Sequence, residues 1–468
     1  MLKFKKLESD LSQIKEYIKE YGGGFCDLSL GVRFTWGSEC AVEYAEYNHT
    51  LILKEASDYH EEAFYYPLGE DIDGALKEIE SYCIKNAKPL RYCCVDNAVA
   101  QRLTERYEEL TVSFERDWCD YIYNAESFRT YAGKKLSGRR NHVNKFKKLY
   151  PDYEFKKMTE QDKPRIKEFL AEYNSRGSSG HFTEQKEREK VEQLLDNAEY
   201  LEQLAGYVQV NGKVVAFSMG ERIRGTLIVH VEKALTEYDG VYPLMAQEFV
   251  KAFGDGAEFV NREEDCGDLG LRTSKLQYRP IEIKKKNFIV VHTLFDKIEH
   301  PIEIITERLK ISDLTEQDKA KYCALNTDER VNEWWGYDYK ADLNGKQPNA
   351  DYFYQFQLAL KHKKEEYPLA VRKDGELIGE VVLHNFDHFG GVEIGFRFFE
   401  SAQNKGYATE SVSALMDYVR IVLNATKIKV CCFKANARSQ RLIEKLGFIK
   451  ASEDGEKFYF EKRLKNSI

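Results

Sequence analysis

Apolar residues recur at helical and strand spacings along the whole chain, so helices and strands are predicted to alternate. Leu11, Ile14 and Ile18 fall on one face of a predicted helix over residues 9–20. Short apolar runs such as 50–53 indicate strands between the helices. Further amphipathic helices are predicted over residues 74–86, 97–107, 159–174 and 184–204. This alternation predicts an α/β (α+β) fold, with mixed and mostly antiparallel sheets flanked by helices.

Two stretches of the chain share one order of elements. In each, an Asn-Gly or Asp-Gly turn joins two strands, a second glycine turn leads to a third strand, and a loop then enters a long helix. Placed without gaps, Gly225 matches Gly391 and Gly240 matches Gly406, at the same spacing. We infer two copies of one α/β unit rather than a solenoid, because the sequence identity between them is low.

Composition limits the class of protein. The 468 residues are 43% hydrophobic and 13% aromatic with a net charge of −8, which excludes a disordered chain and argues against non-specific binding of nucleic acid by the whole chain. No apolar run reaches the length of about 18 residues that a membrane span needs. Ten scattered cysteines without a C-x-x-C motif indicate reduced thiols in the cytoplasm. No metal site is predicted, and His384 and His388 are interpreted as ordinary loop histidines.

The strongest chemical signal lies between the strand 392–398 and the helix that follows it. The intervening loop reads Gln403-Asn404-Lys405-Gly406-Tyr407-Ala408. Free backbone N–H groups and the helix dipole at such a position can hold an anionic diphosphate. Gly406 lets the backbone approach the ligand closely, and Lys405 adds positive charge.

This loop resembles the acyl-CoA signature of the GNAT acetyltransferases, [Q/R]-x-x-G-x-[G/A]. The preceding EIGF (393–396) and the later NARSQRLIEKLGF (436–448) resemble the ribosomal-protein N-acetyltransferase branch of that family, and the resemblance covers about 302–464. It implies acetyl-CoA as the cofactor. It also implies an amine acceptor, which would be a small molecule, a peptide or a protein N-terminus.

The resemblance further implies that acetyl-CoA lies in a splay between strands 392–398 and 428–433. Glu393 is the candidate general base that relays the proton of the amine, and Ser439 is the candidate that protonates the thiolate or binds the cofactor. Alternatively, Glu393 is a structural carboxylate and Ser439 a helix N-cap. The implied cofactor contacts are Arg397, Phe398, Phe399, Gln403, Asn404, Lys405, Gly406, Tyr407, Ala408, Thr409 and Asn436.

Two N-terminal segments resemble a second family. The runs GKKLSGRRNHVNKFKK (133–148) and NREEDCGDLGLRTSKLQYRP (261–280) are similar to the domain at the C-terminal end of phosphatidylglycerol lysyltransferases, over about 20–290. Members of that family contain two GNAT-like halves. The predicted domains are therefore a module over 1–290 (a degenerate half 1–125 and an active-looking half 126–290), a linker over 291–301 and an acetyltransferase domain over 302–468.

The second half departs from the acyl-CoA signature, because Glu237 and Asp239 stand at the matched loop positions. Carboxylates beside a diphosphate are unfavourable, so this half would use another donor or none. An aminoacyl-tRNA would suit the lysyltransferase resemblance, with the basic segment 134–148 holding phosphates. The candidate second-site residues are Arg139, Arg140, Glu232, Asn261, Glu263, Arg272 and Lys275.

Several interpretations of this module stay open at the level of sequence. The basic segment could be a solvated helix face, the charged residues after 260 could be a surface ion-pair cluster, and His230 could be a satisfied core histidine. The leading hypothesis is a second acyl- or aminoacyl-transferase. The alternatives are a non-catalytic module that binds tRNA or a peptide for the acetyltransferase, and an inactive scaffold.

Overall fold

The computed structural model describes residues 2–7, 11–37, 39–57, 60–86, 88–176, 182–336, 339–343 and 347–464. The chain divides into two compact units. The N-terminal unit contains the residues up to Ile79 together with Arg91–Arg102 and Val112–Val290. The C-terminal unit contains Glu80–Leu90, Leu103–Thr111 and the residues from Val291 onward. Within the described ranges, no helix has both the length and the apolar character that crossing a membrane requires.

The elements up to Ser113 form a sheet with helices around it. Their strands β1 to β4 are hydrogen-bonded in that order, β5 pairs with β3, and β4 runs parallel to β6. The helices are α1 (Ser12–Tyr21), α2 (Leu30–Trp36), α3 (Ile72–Lys85) and α4 (Asn97–Arg106). The strands are β1 (Lys5–Lys6), β2 (Glu43–Tyr47), β3 (Thr50–Glu55), β4 (Ala63–Phe64), β5 (Leu68–Gly69), β6 (Leu90–Val95) and β7 (Leu110–Ser113).

The next elements build a seven-stranded sheet in the order β14-β8-β13-β12-β11-β10-β9, while β15 joins the first sheet between β6 and β7. The helices are α5 (Ala125–Thr130), α6 (Ser137–Leu149), α7 (Lys163–Arg176), α8 (Phe182–Asp196), α9 (Val241–Phe253) and α10 (Leu269–Gln277). The strands are β8 (Asp120–Asn124), β9 (Glu154–Lys157), β10 (Leu204–Val210), β11 (Lys213–Ile223), β12 (Thr226–Ala234), β13 (Phe259–Asn261), β14 (Glu282–Lys284) and β15 (Asn287–Val291).

The C-terminal elements form an eight-stranded sheet in the order β16-β17-β18-β19-β20-β21-β23-β22. The helices are α11 (Lys319–Thr327), α12 (Glu329–Asn332), α13 (Tyr339–Asp342), α14 (Ala350–His362), α15 (Tyr407–Ile421) and α16 (Ala437–Lys445). The strands are β16 (Glu303–Ile305), β17 (Lys310–Asp313), β18 (Glu366–Lys373), β19 (Glu376–His384), β20 (Gly391–Phe398), β21 (Lys427–Phe433), β22 (Ile449–Glu453) and β23 (Lys457–Arg463).

All three sheets share one local plan, which confirms the predicted mixed and mostly antiparallel α/β fold with tandem acetyltransferase-like units. Each contains one parallel pair whose strands are joined through a helix: β4 with β6 through α3, β12 with β13 through α9, and β20 with β21 through α15. The remaining pairings with a recorded register are antiparallel. The matched Gly240 and Gly406 both precede the crossover helix, with φ angles of 88° and 81°. Only glycine adopts this left-handed conformation without steric cost.

Helix boundaries differ from the sequence prediction where the apolar period continues through a turn. The helix predicted over 184–204 ends at Asp196, and a turn precedes β10. The first predicted helix, over 9–20, is observed as Ser12–Tyr21, and residues 9 and 10 lie outside the described residues. His384 is a correction to the predicted loop, since it is the last residue of β19 and pairs with Glu366 on β18.

Candidate functional site

The parallel strands of the C-terminal sheet separate soon after they begin to pair. Gly391, Val392 and Glu393 of β20 face Lys427, Ile428 and Lys429 of β21. Among the residues that the structure describes, no further pair joins the two strands. The edge of β20 from residue 394 onward is therefore free of β21, and this is the stretch where the sequence predicts the cofactor arm.

The loop before α15 presents its backbone to open space. Asn404 and Gly406 have left-handed φ angles of 60° and 81°, and α15 begins at Tyr407. The first N–H groups of a helix have no partner within the helix. A Cβ built on Gly406 would meet only the Nη2 atom of Arg308, at 3.2 Å, which is the end of a flexible side chain. The loop therefore forms a cradle that an anion can enter.

Side chains distant in sequence hold this cradle. The Gln403 amide donates a hydrogen bond to the carbonyl oxygen of Phe398 (3.1 Å), which ties the loop to the end of β20. Arg308 donates from Nε to Glu410 (2.7 Å) and from Nη1 to the carbonyl oxygen of Lys405 (3.1 Å). Its guanidinium also lies 4.8 Å from the centre of the Tyr407 ring. Arg308 could not be predicted from local patterns, because its partners lie about a hundred residues further along the chain.

Glu393 is a half-buried carboxylate with polar neighbours at the start of the splay. Asn385 donates to its Oε2 atom at 2.9 Å, and His384 lies opposite it in the register of β19 and β20. Burial lowers the pKa of His384, against the opposing effect of Glu393, so the imidazole stays neutral at neutral pH. Burial, together with the charge of Glu393 and a hydrogen bond to it, raises the pKa of Cys431 to about 12. Cys431 therefore stays a thiol, and burial makes His384 a weaker base than a free imidazole.

Asn436 and Ser439 stand at the start of α16. The side chain of Asn436 caps the helix by accepting a hydrogen bond from the backbone N–H of Ser439 at 3.1 Å. Ser439 therefore occupies the third position of the helix, and the alternative interpretation of Ser439 as the N-cap is wrong. The roles of both residues toward the cofactor stay predictions.

Arg397 takes part in the protein's own packing through its side chain. The guanidinium pairs with Glu380 (2.6 Å), donates to Asn326 (2.8 Å) and lies 4.4 Å from the ring centre of Trp335. The backbone N–H of Phe399 already donates to Ile378. Any contact of Arg397 with a cofactor must therefore come from its backbone.

The matching loop of the N-terminal unit is closed. A Cβ on Gly240 would lie well inside van der Waals contact of the carbonyl oxygen of His142, because α6 packs against the start of α9. Glu237 pairs with Arg176, and Asp239 pairs with Lys145 and with His142 (3.3 Å). The backbone of α6 therefore blocks this loop, in addition to the two carboxylates that depart from the acyl-CoA signature.

The second-site candidates after residue 260 form a hydrogen-bonded network with few exposed members. Asn261 donates to Asp120 at 2.7 Å and accepts from the backbone N–H of Glu263 at 2.8 Å. Lys275 donates to the carbonyl oxygen of Arg262 at 2.6 Å, and Glu232 pairs with Arg262 at 2.8 Å. The side chains of this group are buried or half-buried, so they do not form a surface ion-pair cluster.

Among the second-site candidates, Arg272 forms the more exposed ion pairs. It binds Asp265 (2.7 Å), which is fully buried, and Asp117 (2.6 Å), whose side chain is half exposed. Burial alone would raise the pKa of Asp265, but the hydrogen bonds from Arg272, Tyr121 and the backbone N–H of Gly267, together with the charge of Arg272, lower it to about 2.

Sequence reasoning missed the centre of this network. The ammonium of Lys286 lies 2.5 Å from Asp27 and 2.9 Å from Asp120, and it also pairs with Glu264. The thiol of Cys26 is 3.3 Å from Lys286. Burial raises the pKa of Glu264 to about 7, although Lys286 opposes the shift. Lys286 is the last of three consecutive lysines. Such a run is typical of a solvated surface, so the sequence pattern does not indicate a buried lysine here.

Both ring nitrogens of His230 have hydrogen-bond partners, as predicted for a satisfied core histidine, and the imidazole is positively charged. Its two ring nitrogens lie 2.9 Å from Glu221 and 2.6 Å from Glu263. Burial alone would lower the pKa of His230, but these two carboxylates raise it to about 10. Glu221 is held in turn by the backbone N–H groups of Leu30 and Gly31.

Arg139 and Arg140, the leading phosphate candidates, make contacts within the protein. Arg139 lies 4.7 Å from the ring centre of Tyr278, and Arg140 donates to the carbonyl oxygens of Tyr131 (2.5 Å) and Gly133 (3.3 Å). These contacts give no support to the prediction of tRNA binding through the two arginines.

The N-terminal region matches a known family. Residues 19–289 fit the family model described as "Phosphatidylglycerol lysyltransferase, C-terminal". The chain belongs to this family. Residues 308–449 fit the model of the GNAT acetyltransferase domain, so both predicted resemblances are confirmed.

Individual relatives each match part of the chain. A conserved protein of unknown function from Bacteroides thetaiotaomicron VPI-5482 is 30% identical, with a TM-score of 0.58, over 62% of this chain and 99% of its own. The uncharacterized N-acetyltransferase YnaD of Bacillus subtilis (strain 168) is 34% identical over 83 residues, which is 18% of this chain and 49% of YnaD. YjdG of the same organism, also named an uncharacterized N-acetyltransferase, is 32% identical over 117 residues, or 23% of this chain and 70% of YjdG. The match therefore spans about half the length of YnaD.

Proposed function

We propose that the C-terminal unit transfers an acetyl group from acetyl-CoA to a primary amine. The observation that carries the proposal is the open backbone cradle at Gly406, placed beside the splay of β20 and β21. The GNAT domain match over 308–449 and the names of YnaD and YjdG support acyl transfer as the class of reaction. The acceptor is a small molecule, a peptide or a protein N-terminus.

The residues of this chain fit that cofactor. Residues 403–409 would wrap the diphosphate, with backbone N–H groups from Asn404 onward as donors because that of Gln403 already donates to Glu400, and with the exposed Lys405 adding positive charge. The free edge of β20 after Glu393 would hold the extended arm, and Asn436 would contact it. When bound, acetyl-CoA supplies an acyl carbon that an amine can attack.

Glu393 and Ser439 would move the protons of the reaction. The amine must be neutral to attack, so Glu393 would take its proton, directly or through one water molecule. The Ser439 hydroxyl would be the candidate proton donor to the departing sulfur and would regain its proton from solvent. Neutral His384 adds no positive charge beside Glu393.

A substitution in the cradle tests the proposal. We expect Gly406→Val to weaken acetyl-CoA binding by about 100-fold, since a β-branched residue is strained at positive φ and its side chain would cover the free N–H groups. Losing two charge-assisted hydrogen bonds costs roughly this much. The measurement is thiol release from acetyl-CoA by the full chain with a panel of primary amines, as a function of acetyl-CoA concentration.

Gly375→Val is the matched control. Gly375 has a φ angle of 84° in the turn between β18 and β19, and nothing lies within 4 Å of a Cβ built there. The strain is therefore similar but the position is outside the cradle, and the KM for acetyl-CoA should be unchanged. Equal KM values in the two variants would refute the cradle, and the absence of thiol release with every amine would refute the proposed activity.

For the N-terminal module we propose a donor or ligand other than acyl-CoA, because α6 covers the start of α9. A cavity of about 330 Å³ nevertheless lies in this half, lined by Tyr173, Arg188, Lys233 and Tyr242 among others. The name of the family makes an aminoacyl group the first donor to test. The alternative, a module that binds tRNA or a peptide without catalysis, predicts binding without turnover.

A further inference from the structure

A group of possible metal ligands lies in the first GNAT-like half, away from every residue discussed above. Glu55 ends β3, His60 follows in the next loop, and Cys93 lies on β6. One ligand atom from each residue lies within 4.8 Å of the others. Glu55 and Cys93 are buried, and the side chain of His60 is 21% exposed. A carboxylate oxygen, an imidazole nitrogen and a thiol sulfur therefore meet in a largely dry space.

The hydrogen bonds around the group orient these atoms toward one another. The Nδ1 atom of His60 lies 2.8 Å from the carbonyl oxygen of Glu61, which can only accept a hydrogen bond, and the Nε2 atom lies 3.3 Å from Oε1 of Glu55. The other oxygen of Glu55 accepts from Arg33 (3.0 Å) and from the hydroxyl of Tyr65 (2.6 Å). Ligands of protein-bound metals are typically held by outer hydrogen bonds of this kind.

The Nε2 atom of His60, the carboxylate of Glu55 and the thiol of Cys93 therefore surround one space, which a positive charge, either a proton or a metal ion, can fill. We propose that Glu55, His60 and Cys93 bind a zinc ion, with water in the fourth position. The Cys/His/Glu donor set is one that Zn²⁺ favours in tetrahedral sites. On binding, the Cys93 thiol loses its proton to solvent and forms the S–Zn bond as thiolate.

The charges around the site are compatible with an added cation. Two anionic ligands, Glu55 and Cys93, cancel the charge of Zn²⁺ and leave Arg33 as the nearby positive group. The charge of Asp27 acts on Arg33 and offsets it. Without a metal, the same geometry requires a proton on His60 Nε2, which would make the group an ordinary imidazolium–carboxylate pair. That is the competing state that the experiment must separate.

The second cluster of ligand-type residues shows why zinc belongs to the first. Cys26, Asp27, Asp120 and Glu264 also lie within reach of one ion, but the ammonium of Lys286 already contacts each of them. A tethered cation therefore occupies that space. In the group of Glu55, His60 and Cys93, the guanidinium of Arg33 contacts the Oε2 atom of Glu55 (3.0 Å), the oxygen not paired with His60, and the described residues record no contact of Arg33 with His60 or Cys93.

Zinc alone is the probe for the test. The full chain, purified with chelator and then freed of it, is titrated with Zn²⁺ in competition with a chromophoric chelator. We expect one tight site per chain, weakened by more than about 100-fold in His60→Ala, since loss of a ligand should exceed the roughly 10- to 100-fold effect of an outer hydrogen bond. Tyr65→Phe, which removes one such bond, should weaken zinc by about 10-fold.

Two matched substitutions and one spectrum complete the test. His362→Ala and Cys323→Ser remove the same residue types far from Glu55 along the chain and should leave zinc affinity unchanged. Co²⁺ in place of zinc should show a thiolate charge-transfer absorption that disappears in Cys93→Ser. Because the His60 side chain is partly exposed, His60→Ala should keep the wild-type circular dichroism. No tight site, or a site equally strong in His60→Ala, would overturn the proposal and leave the imidazolium–carboxylate pair.

Discussion

Replacing Glu393 with Gln is expected to lower the turnover number of amine acetylation by at least about 100-fold, the usual range for removal of a general base. The substitution keeps the shape of the side chain and the contact with Asn385, but it removes the carboxylate that can take the proton of the amine. Neither neighbour is an equal replacement, because burial lowers the pKa of His384 and so weakens it as a base, and the pKa of Cys431 is about 12. The measurement is steady-state thiol release from acetyl-CoA with the most reactive amine of the panel.

The affinity for acetyl-CoA separates the two interpretations of Glu393. A base that acts on the acceptor should leave cofactor affinity nearly unchanged, so the loss should fall on turnover alone. Glu376→Gln, at an exposed position at the start of β19, is the matched control and should behave as wild type. Wild-type turnover in Glu393→Gln would establish the structural-carboxylate interpretation instead.

Replacing Lys286 with Met is expected to destabilise the N-terminal unit by about 3–5 kcal/mol, the usual cost of breaking a buried ion pair from one side. The ammonium is the cation for Asp27, Asp120 and Glu264, and Met fills its volume without its charge. On the full chain, calorimetry should show one unfolding transition lowered by on the order of 10 °C. The transition of the C-terminal unit should not move.

Two further variants identify the cause of that loss. Lys145→Met removes an exposed lysine paired with Asp239, and exposed pairs contribute less than about 1 kcal/mol. Adding Glu264→Gln to Lys286→Met removes one of the stranded carboxylates and should restore part of the stability, as coupled residues do in a double-mutant cycle. If Lys286→Met destabilises the N-terminal unit no more than Lys145→Met does, the buried network does not stabilise that unit.

The cradle could be predicted from sequence because all of its signals are local. A strand, a glycine and an amphipathic helix follow one another within about thirty residues, and each has its own periodicity. The match of Gly240 with Gly406 was visible for the same reason, and both glycines adopt the left-handed conformation in the structure. Local pattern thus predicted the fold of the crossover and the position of the loop.

Contacts between distant segments could not be predicted in this way. The clamp of Arg308 on Glu410, the cover that His142 places over Gly240, and the pairing of Lys286 with Asp27 each join residues roughly a hundred or more positions apart. A charged residue gives the same sequence signal whether it meets water or a buried partner. The sequence pattern places His384 in a loop because polar residues follow it directly, so the end of β19 is not apparent from the pattern.

One cradle in this chain is open to coenzyme A, and its matched counterpart is closed. Isothermal titration of the full chain with coenzyme A measures this difference directly. We expect one site per chain, lost in Gly406→Val and retained in Gly375→Val. Two sites per chain, no binding, or binding that survives in Gly406→Val would contradict it.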